Sequence, residues 1–306
     1  MLSSLTMIHQ SLLPALCGTG TVLIDTLAHR SLHDATLAAR ALGGTVHRFR
    51  ATDPDQMDDL LSAVPAGVSR VVCLDGVNGA TAEMPDLPLL TRLCRMHDAL
   101  LYLSDAHGFG VVGERQPTET SPYGIHGNGI VRHLGETYDN VVLAGSFAEA
   151  YSASLGFAAL PGWLKDHLKV TITPYLHEPP APIATLGAVL AGLEVNAARG
   201  DTIRADLYRK TARVLDRVRA LGVATPNGTG LPMIQIPLAN PADLEAVGRF
   251  FWQRGVYLTL AAYPLVPQEL VGIRVHVTAA HTDAEIDRLI GTLTELSAAF
   301  PLRLAE

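Results

Sequence analysis

The sequence predicts an α/β fold: a mostly parallel sheet flanked by helices, followed by a smaller C-terminal α+β domain. Three observations predict it. Five short apolar segments recur along the first half, TVLID (21–25), TVHRF (45–49), RVVCLD (70–75), ALLYLSD (99–105) and NVVLAGS (140–146). All five read as apolar enough to be strands buried on both faces. Amphipathic stretches separate the first four, and this alternation implies a parallel sheet with helices on both sides. After Glu178-Pro179-Pro180 the texture changes to long helical tracts and fewer strands. The expected domains are therefore 1–178 and 179–306.

Taken in order, the first connection is HDATLAARALG (33–43), an amphipathic helical stretch. The next, DPDQMDDLLSAV (53–64), sets Met57, Leu60, Leu61 and Val64 at helical spacing behind Asp53-Pro54, a cap and a first-turn proline. GERQPTETSPYGIHGNG (113–129) is a long polar loop of the kind that is functional or mobile. Past residue 180 a helix is expected over 183–198, broken at Gly200-Asp201, and a second over 202–221. PMIQIPL, a helix over 243–254, VYLTLAAY, GIRVHVT and a closing helix after Thr282 complete the chain.

The charge balance is acidic, net −7, with no Lys/Arg cluster to track phosphates, so nucleic-acid binding is not expected. No apolar run is long enough to span a bilayer, and Met1-Leu2-Ser3-Ser4 lacks the basic start of a signal peptide. Cys17, Cys73 and Cys94 are scattered in apolar contexts and read as buried thiols, which places the chain in the cytoplasm.

In open parallel sheets, ligands sit beyond the carboxyl ends of the strands. The strongest local signal lies there: Ser104-Asp105-Ala106-His107 closes a buried strand, and glycines at 108, 110 and 113 let the chain turn. This stretch is joined by IDTLAHRSL (24–32), HRFRATDPDQMDDLL (47–61), GNGIVRHLG (127–135), EPPAP (178–182) and GIRVHVTAAHTDAEIDRLI (272–290). Together they resemble the α-oxoamine synthase family, whose members include 8-amino-7-oxononanoate synthase and serine palmitoyltransferase. The resemblance runs over nearly the whole chain and implies a fold-type-I PLP-transferase-like architecture. Members use pyridoxal phosphate (PLP) to condense an amino acid with an acyl-CoA. The match starts late relative to a typical member, whose N-terminal arm has no counterpart here.

Residue by residue, the resemblance exposes breaks. The lysine that forms the internal aldimine belongs four positions after Gly145, where this chain has Glu149 in a stretch expected to be buried. The aspartate that keeps the pyridine nitrogen protonated is replaced by Ser104. Asp105, one position on, should face the other side of the strand. The phosphate-binding Ser-Gly start of an early helix has become Ser4-Leu5. What survives is His29, which matches the ring-stacking histidine, and His107, which matches the one near the phenolic oxygen. Arg274 matches the substrate-carboxylate clamp, and Ser146 keeps a hydroxyl. At an effective dielectric near 20, a carboxylate about 4 Å from the cofactor's charge repels it by roughly 4 kcal/mol. No PLP is therefore expected, with weak non-covalent PLP left as an alternative.

Two functions follow from this pattern. One is a repurposed enzyme for PLP-independent acyl transfer, hydrolysis or decarboxylation of an acyl-thioester or an amino or keto acid. In it Glu149, His107 and His29 act as acid/base groups and Arg274, Ser146 and Ser104 bind substrate. The other is a non-catalytic subunit of a PLP-dependent acyltransferase. The assembly is accordingly a homodimer, or a heterodimer with a lysine-bearing homologue. His29 and His33 have the i, i+4 spacing of metal ligands, but no third ligand accompanies them.

Overall fold

In the computed structural model, which describes residues 1–305, the chain divides into two compact units. The first comprises Met1–Asn78 and Met84–Gly200, the second Gly79–Glu83 and Asp201–Glu306. The first unit opens with α1 (Leu5–Cys17), whose Ser4 cap accepts the Met7 amide at 3.2 Å. Then β1 (Thr21–Asp25), α2 (Arg30–Ala41), β2 (Thr45–Phe49), α3 (Pro54–Ser62), β3 (Arg70–Asp75), α4 (Leu87–Met96) and β4 (Leu100–Asp105) alternate as expected. The expected cap of α3 is present: the Asp53 carboxylate accepts the Gln56 amide at 3.0 Å, with Pro54 in the first turn.

The short α5 (Ile130–His133), β5 (Val141–Ser146), α6 (Ala148–Tyr151) and β6 (Gly156–Ala159) follow. The sheet order is β2-β1-β3-β4-β5-β6. The first five strands run parallel, and β6, which periodicity did not separate from its flanking apolar residues, closes the edge antiparallel to β5. β1 and β3 to β5 are buried almost throughout, whereas β2 exposes four of its five residues in whole or part, as an edge strand carrying His47 and Arg48 does.

One face of the sheet sets Val22, Ile24, Val71, Cys73, Tyr102, Val142 and Ala144 against α1 and α2. The same core takes in Leu164 and Leu168 of α7 (Gly162–Thr171), and Ile172 just before α8 (Thr173–His177). α9 (Ile183–Ala220) then runs 38 residues without interruption. Two helices broken at Gly200-Asp201 were expected. A single glycine inside a helix costs only about 1 kcal/mol, and no proline stands nearby to forbid the backbone hydrogen bonds. The units divide at 200–201, inside this helix, rather than at 178–179. The reason is that residues 183–200 pack on the first unit, with Val189 buried against Phe147, Ala153 and Leu155.

The second unit holds β7 (Met233–Pro237), α10 (Leu244–Gln253), β8 (Thr259–Ala261), β9 (Gly272–His276) and α11 (Asp283–Ala299). Its three antiparallel strands are ordered β7-β9-β8. β8 is shorter than VYLTLAAY suggested, with Tyr257 and Tyr263 left outside it and exposed.

The polar loop over 113–129 is tied to itself. The Gly113 amide donates to the Tyr123 carbonyl and the Ile125 amide to the Glu114 carbonyl. A Cβ on Gly113 would lie 2.0 Å from the Ile125 carbonyl oxygen. Since backbone cannot yield as a side chain does, Gly113→Ala is expected to cost about 1–3 kcal/mol. Urea denaturation measures it, and a change inside experimental error would contradict this account of the loop.

Candidate functional site

β1, β3, β4 and β5 end on Asp25, Asp75, Asp105 and Ser146, so four neighbouring strands deliver polar groups to one edge of the sheet. Register sorts them. Asp75 pairs with Ser104, and Ser104 with Ala144, so these three share the face that packs on α1 and α2. Asp105 pairs with Gly145 and points to the other face, as the alternation of strand side chains requires. There its Oδ2 accepts the Ile130 amide at 2.9 Å, which anchors the start of α5. Oδ1 has no partner at hydrogen-bonding geometry, although the Gly108 and Phe109 amides lie near enough to oppose the effect of burial. Burial still lifts this carboxyl to about 6.

Asp75, which sequence reasoning passed over, is the central group of the first face. Its Oδ2 accepts the His29 amide at 2.7 Å, and Ser104 lies opposite it in register on β4. Burial pushes it up to about 7; the His29 amide opposes this, neighbouring Asp25 adds to it, and Ser104 opposes it. One signal for it was present: an acid ending an otherwise apolar strand. Two residues back along β4, Tyr102 is fully buried and its hydroxyl meets His9 Nδ1 of α1 at 2.9 Å. Burial drives His9 down to about 3, so the ring stays neutral.

The expected site residues are distributed as follows. His29 is the cap of α2 and is exposed; its Nδ1 lies 2.8 Å from Ser31 Oγ. His107 is half-buried in the turn directly after β4. Ser104 and Ser146 are buried, and Ser146 Oγ accepts the Ala148 amide at 3.0 Å, which shapes the turn after β5. Glu149 corrects an expectation. It was placed in a buried, apolar setting that would raise its pKa, and it is exposed. The single turn α6 sends Phe147 inward and lifts Ala148, Glu149 and Ala150 outward. The apolar character of the stretch goes instead into a cluster of Phe109, Phe147, Tyr151 and Phe157. Gly145 admits this cluster: a Cβ there would lie 2.3 Å from the Phe157 ring.

In the second unit, Arg274 lies half-buried on β9, and its Nε donates to Gln235 Oε1 at 2.9 Å. Gln235 is itself held by donating to the Leu270 carbonyl at 2.7 Å. Burial lowers the Arg274 pKa from its ordinary value. Its terminal nitrogens make no ion pair or hydrogen bond among the described residues, an arrangement suited to a carboxylate. Among the described residues no group of three or more His, Cys, Asp or Glu is placed to hold a metal, and no helix is long and apolar enough to cross a membrane.

Residues 1–293 match the model of the family described as aminotransferase class I and II. The chain belongs to the aminotransferase class I and II family. Within it, this is an α-oxoamine synthase-like member with the fold-type-I architecture. It is 31% identical over 289 residues to an 8-amino-7-oxononanoate synthase of Stutzerimonas stutzeri, covering 94% of this chain and 69% of that one. To the same enzyme of Dechloromonas aromatica it is 29% identical over 297 residues, covering 93% and 70%. Among solved structures it resembles a serine palmitoyltransferase from S. paucimobilis carrying a PLP–myriocin aldimine. That match has a TM-score of 0.87 at 19% identity over 97% of this chain and 72% of the other. An 8-amino-7-oxononanoate synthase from Francisella tularensis matches with a TM-score of 0.78 at 16% identity, covering 97% and 82%.

Lys165, Lys169 and Lys210 are the three side-chain amines that the chain could offer to a cofactor such as PLP. Position 149 carries a carboxylate, and position 104, one before the end of β4, a hydroxyl. Lys165 and Lys169 lie on α7, Lys165 exposed and Lys169 paired with Asp166. Lys210, in the second unit, is bound to Asp206 and to the Ala279 carbonyl.

The raised Asp75 pKa has a consequence for stability. An unperturbed carboxyl titrates at 3.8 and this one at about 7, so between about pH 4 and 7 the native state binds more protons than the unfolded chain. Asp75 therefore makes the protein less stable as pH rises through that window, by up to about 1.4 kcal/mol per pH unit. Asp25 and Asp105 act in the same direction, and His9 in the opposite one. Asp75→Asn should gain stability relative to the parent protein progressively from about pH 4 to 7, as measured by urea denaturation across pH. A difference that stays flat through the window would refute the shift.

Proposed function

We propose that this chain is a degenerate α-oxoamine synthase-like enzyme that works without a PLP aldimine. Its reaction is acyl transfer, hydrolysis or decarboxylation of an acyl-thioester or of an amino or keto acid. The observation that carries the proposal is the Asp75–Ser104 pair at the ends of β3 and β4. There a carboxyl titrating near neutrality occupies the sheet edge where α/β folds bind ligands. His29 is joined to that carboxyl through its amide, and His107 follows β4 directly, which supplies two imidazoles of the kind used as acid/base groups. Ser104 positions the Asp75 carboxyl, and Glu149, exposed after β5, presents a carboxylate to an incoming group. Arg274 is the carboxylate-binding residue of the second unit. The relatives' acyltransferase chemistry supports an acyl-thioester as the substrate class.

A second reading is a non-catalytic subunit paired with a lysine-bearing homologue. Glu149 favours it, because an exposed carboxylate without an ion pair among the described residues lacks the apolar surroundings that would tune it for catalysis.

The test is to incubate the purified protein with acyl-CoA, follow thiol release, and treat a parallel sample with PLP and borohydride. The expected outcome is thiol release that Asp75→Asn and Glu149→Gln each lower at least tenfold, with no pyridoxyl label on Lys165, Lys169 or Lys210. A label on a lysine, with turnover of an amino acid, overturns the proposal. Absence of thiol release, together with no acyl-CoA effect on the melting temperature, shifts support to the silent subunit.

A further inference from the structure

The second unit carries a cleft that the site residues described above do not line. It lies between the turn after α10, the end of β9 and the first turns of α11. Its volume is about 340 Å³, inside the roughly 300–1,000 Å³ range of small-molecule sites. Its floor is apolar, built from the buried side chains of Val275, Val277, Ile286 and Leu289.

One wall is aromatic. The turn after α10 passes through Gly255 in the left-handed region, φ +70°, and brings Tyr257 to the rim, 87% exposed. Trp252, 70% exposed, meets that ring edge-on with centroids 6.4 Å apart. A flat apolar group laid on Tyr257 would withdraw ring surface from water and gain stacking contact.

The wall on α11 is charged. Arg288 is the one Lys or Arg among the lining residues, and its guanidinium makes no hydrogen bond or ion pair among the described residues. It lies against the Gly255 turn, where a Cβ on that glycine would stand 3.7 Å from Nη1. A fork of donors without a partner matches a carboxylate. His281 supplies a further donor of fixed sense. Its Nδ1 accepts the Thr278 amide at 3.0 Å, and a backbone N–H can only donate, so the proton of the neutral ring sits on Nε2.

Glu285 limits the charge of the guest. Its Oε2 accepts the Thr282 amide at 2.7 Å and the Thr282 hydroxyl at 2.9 Å. These bonds hold its carboxyl below the usual carboxylate range, and His281 and Arg288 add to the effect. A lasting negative charge three positions from Arg288 disfavours a dianion and leaves room for a single carboxylate.

We propose that this cleft binds a small aromatic carboxylate, with its ring on Tyr257 and its carboxylate shared by Arg288 and His281. The cleft lies wholly within the second unit and does not depend on the reaction proposed above.

Isothermal titration calorimetry of the full chain with 3-phenylpropionate tests it. The parent protein is expected to bind the probe at a single site, and Arg288→Gln and Tyr257→Ala to bind it at least about tenfold more weakly. Neither side chain makes a hydrogen bond among the described residues and both are exposed, so circular dichroism should not change. The alcohol 3-phenylpropanol, which lacks the charge, and propionate, which lacks the ring, should each bind the parent protein at least about tenfold more weakly. Inorganic phosphate should not displace the probe. No binding, an affinity unchanged in either variant, or an alcohol that binds as tightly as the acid overturns the proposal. So does displacement by phosphate, which would make the cleft a general anion site. Binding that Arg274→Gln abolishes and Arg288→Gln leaves intact overturns it as well, because it would assign the probe to Arg274.

Discussion

A carboxylate buried at the end of a parallel strand must be satisfied by the backbone of whatever comes next, and this requirement organises the sheet edge. Asp75 takes the amide of His29, which ties the end of β3 to the start of α2 beside β1. Asp105 takes the amide of Ile130, which ties the end of β4 to the far side of a loop 25 residues later. Asp25 takes the amide of Ala51 and holds the exit from β2. Each acid thus fixes a connection between elements distant in sequence, and each is raised in pKa by the burial that makes it useful for that purpose. The residues that could do chemistry, His29 and His107 above all, are carried on those connections.

The same arrangement makes a serine at position 104 physically consistent with Asp75 beside it. An acid at position 104 would stand directly across from Asp75 on the same face, two carboxylates on paired residues of neighbouring strands. One of the two carboxyls would then have to stay neutral. Serine at 104 removes the conflict.

Much of the fold could be read in the sequence because burial on both faces leaves an unambiguous apolar signature in β1 and β3 to β5. Asp53-Pro54 likewise announced α3 through its own capping chemistry. The position of Glu149 at the end of β5 was also legible, since a strand and a small-residue turn identify it. Its exposure was not. The apolar residues around it, Phe147 and Tyr151, made the stretch look buried, but they pack on one another and on Phe109 and Phe157 in a cluster drawn from three stretches of chain. No one-dimensional pattern distinguishes side chains that line a cavity from side chains that fill it. Asp75 was missed for the converse reason, because its importance comes from register with Ser104 on another strand.

The continuity of α9 illustrates a further limit. Gly200-Asp201 is a weak local stop, and whether a helix ends at such a pair depends on what its two halves pack against. Residues 183–200 are held through Val189 to the first unit, while Lys210 on the same helix is bound to Asp206 and the Ala279 carbonyl in the second. With each half anchored at its own side chains, the backbone hydrogen bonds across Gly200 are cheaper to keep than to break, since each broken bond would have to find solvent or another partner. The helix therefore continues through Gly200-Asp201, where sequence alone suggested an end.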